Sequence, residues 1–124
     1  MSSQMVRAAA IIGDLLEVTF AINTSLSNAI DRRHRSALGI FSDAAWTAAA
    51  LTAQVSDDGV TWYNVYDRYG TEWTCQLATD ARRFVPLDIG DWASGRYIRF
   101  RSGTAATPVN QTAARELHLL VRPV

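Results

Sequence analysis

The sequence contains no lysine, because all 12 of its basic residues are arginine. A P-loop, a Schiff base and an amine general base each depend on the compact ammonium group of lysine. The planar guanidinium group of arginine does not replace it. The absence of lysine therefore excludes these three kinds of enzyme chemistry.

Cysteine and histidine are also scarce, with one cysteine and two histidines in 124 residues. Cys75 has no second cysteine for an internal disulfide, and alternation with apolar neighbours predicts that it points into the core. His34 lies beside three arginines, while His118 alternates with leucines and is predicted to face away from the core. Neither histidine has a metal-ligating neighbour at close spacing, so we expect no metal site and no cofactor.

Net charge and long hydrophobic runs are missing as well. The formal net charge is zero, so the chain lacks the positive field that draws proteins to polyphosphate, and we expect no nucleic-acid binding. No run reaches the roughly twenty apolar residues that cross a bilayer, so we expect no membrane association. The length of 124 residues fits one domain. We predict an N-terminal arm over residues 1–14 and a single jelly-roll domain over residues 15–124.

The clearest structural pattern in the sequence is a β-hairpin near its middle. Apolar and polar residues alternate along Leu51–Ser56, as in a strand with one buried face. Asp57–Gly59 then supplies turn-forming aspartates and a glycine that can adopt a positive φ. The chain returns through Val60–Tyr66, which is rich in strand-forming residues. We therefore predict an antiparallel hairpin closed at Asp57–Gly59.

Similar segments predict about eight strands in total, at the spacing typical of a β-sandwich. The predicted fold class is all-β, an antiparallel β-sandwich of jelly-roll type. Pro86 places its strand at an edge or a bulge. The small-residue segment Gly103–Ala113 is predicted to be a loop, which either carries function or only crosses one end of the sandwich. The strands outside the hairpin are Leu16–Ile22, Ala37–Phe41, Thr71–Leu77, Phe84–Ile89, Arg96–Ser102 and Arg115–Arg122.

Three segments resemble discoidin-type (F5/8 C) domains, which are jelly rolls of the galactose-binding-like fold. Ser56–Trp62 is similar to the S-x-D-G-x-x-W hairpin of that family. Gly95–Arg101 is similar to its RYIRI strand, and Ala114–Leu119 to its closing RvEL strand. The order and spacing of the segments also fit. The resemblance implies the same fold and raises the possibility of a bound sugar or a structural calcium ion.

From Leu15 onward the chain is also similar to a group of small virion proteins of tailed phages. The resemblance implies a structural component of the virion, made in the host bacterial cytoplasm. It would associate with copies of itself and with another virion protein of the capsid, spike or tail. The motifs that carry the resemblance are SDDG at Ser56–Gly59, RSGT at Arg101–Thr104, PVNQ at Pro108–Gln111 and RP at Arg122-Pro123.

Acidic residues lie at both ends of the second hairpin strand. Asp57, Asp58 and Asp67 could act as a glycosidase acid and base or bind calcium. Turns, however, recruit aspartate because its side chain accepts hydrogen bonds from local amides, and no D-x-D-x-D-G loop is present. We favour turn chemistry for these residues and leave a calcium site open.

Aromatic residues concentrate around the second hairpin strand and the turn after it. Trp62, Tyr66, Tyr69 and Trp73 could stack on the faces of sugar rings. The tryptophans, including Trp46 and Trp92, could instead anchor the core or an interface, because a fold does not confer a function. Stacking on host glycans is therefore the second hypothesis for this region.

Arginines form the remaining candidate surface. Tyr97, Arg99 and Arg101 alternate with two apolar residues and share one face of a strand. A loop contributes three further arginines, and exposed arginine and tyrosine are typical of protein interfaces. The alternative is a solvated sheet face. The predicted interface residues are Arg32, Arg33, Arg35, Tyr97, Arg99 and Arg101.

The sequence thus favours a non-enzymatic structural component of a tailed-phage virion. Its predicted place is a head decoration, a spike or fibre base, or a tail accessory protein. The alternative is a carbohydrate-binding module that contacts host-surface glycans. An enzyme ranks last, because lysine is absent and the cysteine and histidines are isolated. The location in the virion and the number of copies stay open.

Overall fold

The computed structural model describes residues 14–33, 35–43, 45–87 and 95–123. These residues contain strands and loops but no helix, and among them no helix is long and apolar enough to cross a membrane. The strands are β1 (Asp14–Phe20), β2 (Ile30–Asp31), β3 (Arg35–Ser42), β4 (Ala50–Ser56), β5 (Tyr63–Asn64), β6 (Cys75–Gln76), β7 (Arg83–Pro86), β8 (Tyr97–Ser102) and β9 (Arg115–Pro123).

The strands form two antiparallel sheets whose pairings are nested. One sheet has the order β1-β9-β3-β7, and the other has the order β2-β8-β4-β5 with β6 also paired to β4. The first strand therefore pairs with the last, the second with the next to last, and so on inward to the β4–β5 hairpin. This is a long antiparallel hairpin rolled into a sandwich, which is the jelly roll. The predicted fold class is confirmed.

The core lies between the two sheets and follows from the alternation of side chains along each strand. Val18 and Phe20 face inward from β1, and Ile98 and Phe100 do so from β8. Trp46 is also buried, with its ring 5.2 Å from that of Phe20 in an edge-to-face arrangement. The other buried apolar residues of the core are Ile30, Ala37, Ile40, Leu51, Ala53, Val65, Cys75, Leu77, Leu87, Leu117, Leu119 and Val121.

The predicted hairpin forms the tip of the roll. Val55 pairs with Tyr63 and Gln54 pairs with Asn64, and Gly59 has the expected positive φ of 78°. The second strand is shorter than predicted, because hydrogen bonds to the Asp58 side chain hold the segment before Tyr63 in a loop. Turn chemistry therefore overrides the strand propensity of that segment.

Other strands also differ from the prediction. In Thr71–Leu77 the strand β6 covers only Cys75–Gln76, and Glu72 forms a separate bridge with Tyr66. Thr71 closes a turn on Asp67, whose amide donates to the Thr71 carbonyl and whose side chain accepts a hydrogen bond from the Thr71 amide. The first strand ends at Phe20 rather than Ile22, which is 58% exposed. The chain turns away at Asn23, whose φ is 62°.

The predicted loop Gly103–Ala113 contains no strand and is fixed at its end by Gln111. The Gln111 side chain is fully buried. It accepts a hydrogen bond from the Thr47 amide (2.9 Å) and donates to the Ser102 hydroxyl (2.7 Å). Gln111 thus joins three segments at one end of the sandwich, which gives the PVNQ motif a structural role.

Several predictions fall outside the described residues. They concern His34, Trp92, the C-terminal part of the Phe84–Ile89 strand, and the N-terminal arm apart from Asp14, which opens β1. Pro86 ends β7 at the edge of its sheet, as expected. Cys75 is buried, also as expected, and burial raises the pKa of its thiol to about 11. His118 lies between buried leucines and faces away from the core.

Candidate functional site

The predicted interface side chains of β8 lie on the outer face of the second sheet. In register, Tyr97 pairs with Ser56, Arg99 with Gln54 and Arg101 with Thr52. The residues between them in β8 are fully buried, so alternation directs Tyr97, Arg99 and Arg101 outward from the core. The three side chains differ, however, in what lies over them.

Arg99 is half-buried against an aromatic ring. Its guanidinium carbon lies 4.3 Å from the centroid of the Trp62 ring, which is a cation–π contact. Its Nε donates a hydrogen bond of 2.7 Å to Gln54 Oε1. Partial burial, together with the nearby charge of Arg101, lowers the pKa of Arg99. Among the described residues this is the only hydrogen bond of the Arg99 side chain, and its two terminal nitrogens have no hydrogen-bond partner there.

Arg101, by contrast, is buried inside the domain. Its Nη2 donates a hydrogen bond of 2.8 Å to Glu72 Oε2, and the two side chains are only 7% and 15% exposed. Its Nε donates to Thr52 Oγ1 and its Nη1 to Asn64 Oδ1, each at 3.1 Å. Glu72 also accepts a hydrogen bond from the Ala105 amide. The prediction that Arg101 is an exposed interface residue is wrong, because the Glu72 segment covers it.

Arg32 is the second arginine that the structure removes from the predicted interface. It is 4% exposed, and its Nε and Nη2 donate to the carbonyl of Gly95. Its Nη1 donates to the carbonyl of Arg35 at 2.7 Å. Burial lowers the pKa of Arg32. Its side chain connects backbone segments of the domain and is not exposed as predicted. Arg33 is exposed and Arg35 is half-buried.

Arg96 belongs to the outer face, although the sequence reasoning did not select it. It binds Asp31 with two parallel hydrogen bonds of 3.1 Å, and its guanidinium lies 5.0 Å from the centroid of the Tyr97 ring. These hydrogen bonds lower the pKa of Asp31. The sequence RYIRF indicates this position, because an arginine directly before a strand can lie over the side chain of the first residue of that strand. Tyr97 in turn lies against Gly59 of the hairpin tip.

We call this region the arginine–aromatic face and define it as Gln54, Trp62, Arg96, Tyr97 and Arg99. All five residues are at least partly accessible. Gln54 and Arg99 lie on β4 and β8, which are neighbouring strands inside their sheet. The face thus contains two arginines, each beside an aromatic ring, and strand pairing fixes the backbone that carries them. Such a face can bind carboxylates bidentately and pack against flat apolar groups.

The predicted glycan-stacking residues do not have equal access to solvent. Trp62 is half-buried beneath Arg99, and Trp73 packs against the core. Tyr66 and Tyr69 are 51% and 87% exposed. Tyr69 lies in a turn in which Asp67 Oδ1 accepts hydrogen bonds from the amides of Tyr69 and Thr71. The two tyrosines therefore retain rings that could stack on a sugar.

The hairpin aspartate Asp58 serves the local backbone. Its Oδ1 accepts hydrogen bonds from the amides of Val60 at 2.8 Å and Thr61 at 2.9 Å, and from the hydroxyl of Ser56 at 3.0 Å. The hydrogen bonds from these amides are the main cause of a lowered pKa of Asp58. Within the described ranges, no three residues of the His, Cys, Asp and Glu types form a group that could hold a metal ion.

A second accessible region lies on the other sheet and was missed by the sequence reasoning. The rings of Phe41 and Phe84 are directly paired across β3 and β7, with centroids 4.6 Å apart. Both are more than 40% exposed. The sequence places Phe41 in the predicted strand Ala37–Phe41 but leaves the direction of its side chain undetermined. Its position next to Ile40 was the available signal, because adjacent residues of a strand face opposite sides.

Comparisons with known proteins identify no family. No protein-family model matches the chain, and no curated protein matches it. Function is therefore argued from the geometry of the surfaces and from the motifs in the sequence.

Proposed function

We propose that this protein is a non-enzymatic structural component of a tailed-phage virion that docks on another virion protein through the arginine–aromatic face. The observation that carries the proposal is the state of Arg99. Its guanidinium is partly desolvated on Trp62, while its terminal N–H groups have no partner among the described residues. A carboxylate from a docking protein would complete this arrangement.

The composition of the face favours a protein over a polyanion as the ligand. Arginine and large aromatic residues are enriched at the energetic centres of protein interfaces. Asp31 already neutralises Arg96, and the net charge of the chain is zero. Binding through shape and local pairing suits a particle component, which must not collect nucleic acid indiscriminately.

The phage-like motifs support the proposal through the fold. Ser56 of SDDG, Arg101 of RSGT and Gln111 of PVNQ are all buried. Ser56 accepts a hydrogen bond from the Gly59 amide within the hairpin tip, whereas Arg101 and Gln111 join separate segments by hydrogen bonds. These motif residues stabilise the jelly roll, whereas the docking face lies beside them. The resemblance therefore supports a shared scaffold and leaves the docking partner to be set by exposed residues.

A non-catalytic role agrees with how the reactive groups are used. Asp58 accepts hydrogen bonds from backbone amides, and Glu72 accepts one from Arg101. Cys75 is buried, and desolvation raises its pKa to about 11, so little thiolate forms at neutral pH. These contacts are those of groups that stabilise the fold.

The test is incorporation of variant proteins into phage particles. We expect Arg99→Ala and Trp62→Ala proteins that remain folded by circular dichroism to be depleted from purified particles at least tenfold. Truncation of a central interfacial arginine costs on the order of 2 kcal/mol. Arg68→Ala and Tyr69→Ala, in the exposed turn after the hairpin, are the matched controls and should be incorporated normally. Normal incorporation of folded Arg99→Ala would overturn the proposed docking face.

Glycan binding is the second candidate, favoured by the exposed rings of Tyr66 and Tyr69. In this case purified protein would bind host-surface polysaccharide, and Tyr69→Ala would abolish binding without changing the unfolding curve. Trp73→Ala is the contrasting variant, because loss of this core contact should destabilise the fold. Binding that is unaffected by both Tyr66→Ala and Tyr69→Ala would contradict this candidate.

A further inference from the structure

A series of side-chain hydrogen bonds leads from the buried ion pair of Arg101 to Arg99. Arg101, whose Nη2 binds Glu72, donates from Nη1 to Asn64 Oδ1 at 3.1 Å. Gln54 Nε2 donates to the same Asn64 oxygen at 2.9 Å. Gln54 Oε1 then accepts the hydrogen bond of 2.7 Å from Arg99 Nε. We call these five connected side chains the polar network.

The direction of each hydrogen bond in the polar network follows from the chemistry of its two ends. A guanidinium group only donates, so the Asn64 amide has to turn its oxygen towards Arg101. Gln54 can approach that oxygen only with its NH2 group, because two carbonyl oxygens would repel each other. The Gln54 oxygen is then directed to Arg99, which also only donates. The two arginines thus fix the orientation of both amide groups.

Strand pairing places the members of the polar network beside one another. Gln54 of β4 lies opposite Asn64 of β5 on one side and opposite Arg99 of β8 on the other. Arg101 is two residues along β8 from Arg99 and therefore shares its face. Arg101 and Glu72 are nearly buried, whereas Gln54 and Arg99 are half-buried. The network therefore connects a buried, fixed ion pair to an accessible arginine.

The hydrogen bond to Gln54 decides which edge of the Arg99 guanidinium can bind a carboxylate. A guanidinium offers two parallel N–H groups either along Nε and one terminal nitrogen or along the two terminal nitrogens. Nε of Arg99 is already bound to Gln54, and the guanidinium carbon lies over the Trp62 ring. The terminal edge is therefore the one that can accept both oxygens of a carboxylate, in an end-on approach.

We propose that the polar network positions Arg99 for end-on binding of a carboxylate of the docking protein, with Gln54 and Asn64 as positioning residues. The inference rests on the proposed function of the arginine–aromatic face and deepens it by specifying how the ligand approaches. A guanidinium that is held in one orientation loses less side-chain entropy when a partner binds. The approach in the plane of the guanidinium also gives the contact its geometric specificity.

The first experiment measures how fast the Nε–H of Arg99 exchanges with solvent, by NMR of the purified full chain with isotope-labelled arginine. The signal is identified by its loss in Arg99→Lys. We expect Gln54→Leu to accelerate exchange at least tenfold, because the hydrogen-bond acceptor is removed. Asn64→Leu should accelerate it at least threefold, because the Gln54 amide loses the group that orients it. Asn64→Asp keeps an oxygen acceptor and should stay within twofold of the wild type.

Thr52→Val is the matched control for a loss of stability. Thr52 is fully buried and its hydroxyl accepts a hydrogen bond from Arg101 Nε, so the variant should lower the urea midpoint without changing exchange at Arg99. If the network had only a structural role, Asn64→Leu would behave in the same way, and that result would overturn the proposal. Wild-type exchange in Gln54→Leu would overturn it as well. Gln54→Leu leaves the contacts of Arg101 in place, so it provides a test that does not depend on the folding of Asn64→Leu.

Particle incorporation separates this inference from the proposed function. We expect folded Gln54→Leu and Asn64→Leu proteins to be depleted from purified particles at least threefold, which is less than the depletion expected for Arg99→Ala. Normal incorporation of Arg99→Ala would overturn the docking face itself. Depletion of Arg99→Ala together with normal incorporation of Gln54→Leu would overturn the positioning role alone.

Discussion

At the residue scale, two buried arginines hold the domain together. Arg101 links β8 to Glu72, which lies 29 residues away in sequence. Arg32 links the end of β2 to the carbonyl of Gly95, 63 residues away. The Arg101 guanidinium connects β8 to the loop that carries Glu72, whereas the Arg32 guanidinium extends the contact at the end of the β2–β8 pair. For this reason they contribute to stability and are withdrawn from the interface that the sequence predicts.

Removal of Glu72 would leave the buried Arg101 charge without its carboxylate. We expect Glu72→Ala to lower the free energy of unfolding by about 3 to 5 kcal/mol, as when one partner of a buried ion pair is deleted. The matched control is Asp43→Ala, which breaks the exposed pair with Arg82 and should cost less than about 1 kcal/mol. Urea unfolding measures both. A Glu72→Ala loss no larger than that of the control would contradict this account of Arg101.

The lowered pKa of Asp58 predicts a dependence of stability on pH. A carboxyl group whose pKa is lower in the folded state stabilises the fold above its unfolded pKa, near 3.8. That contribution is lost as the pH falls through the folded pKa. We therefore expect the urea concentration at the midpoint of unfolding to decrease when the pH is lowered below about 4. Asp58→Asn, which retains an oxygen acceptor, should reduce this slope. Equal slopes in the wild type and Asp58→Asn would contradict the assignment.

The sequence predicts the direction of residues in β8 but not their exposure. Alternation with Ile98 and Phe100 correctly places Tyr97, Arg99 and Arg101 on one side. The cover over Arg101 comes from Glu72 and Asn64, which are distant in sequence. No local sequence pattern predicts this contact, because it depends on how the loop after the hairpin packs over β8. Prediction of the candidate site was therefore only partly successful.

At the element scale, the β4–β5 hairpin shows which local rules dominate. Alternation predicts β4 and turn chemistry predicts the position of the tip. The same turn chemistry shortens the returning strand, because Ser56 and Asp58 bind the amides that would otherwise begin it. Both short strands β5 and β6 follow loops in which an aspartate side chain accepts hydrogen bonds from backbone amides. Sequence propensity alone overestimates their length.

Replacement of Gly59 tests the conformation of the hairpin tip. Its φ of 78° is unfavourable for a β-branched residue, although a Cβ would meet only the Tyr97 ring at 3.6 Å. We expect Gly59→Val to lower the free energy of unfolding by roughly 1 to 2 kcal/mol, the cost of a left-handed conformation. Gly59→Asn should cost less, since asparagine tolerates this region. Equal stability of the glycine and valine proteins in urea would refute the positive φ.

At the scale of the whole molecule, nested pairing brings together residues from both ends of the chain. β1 and β9 lie side by side, while the β4–β5 hairpin forms the tip. The number and spacing of strand-like segments predict an all-β sandwich or a jelly roll, and the resemblance to discoidin-type domains favours the jelly roll. They were insufficient to predict which sheet face is accessible, because that depends on loops such as the one carrying Glu72. The molecule presents two accessible faces, and we assign the arginine–aromatic face to a virion partner.

A high-resolution cryo-electron microscopy map of the intact phage particle would test the virion role and the docking surface together. We expect the map to show this chain in the particle, with a carboxylate of a neighbouring protein within hydrogen-bonding distance of the terminal nitrogens of Arg99. Trp62 and Tyr97 should lie within the same contact. Absence of the chain from the particle would contradict the virion role, and a map with the arginine–aromatic face in solvent would contradict the docking surface.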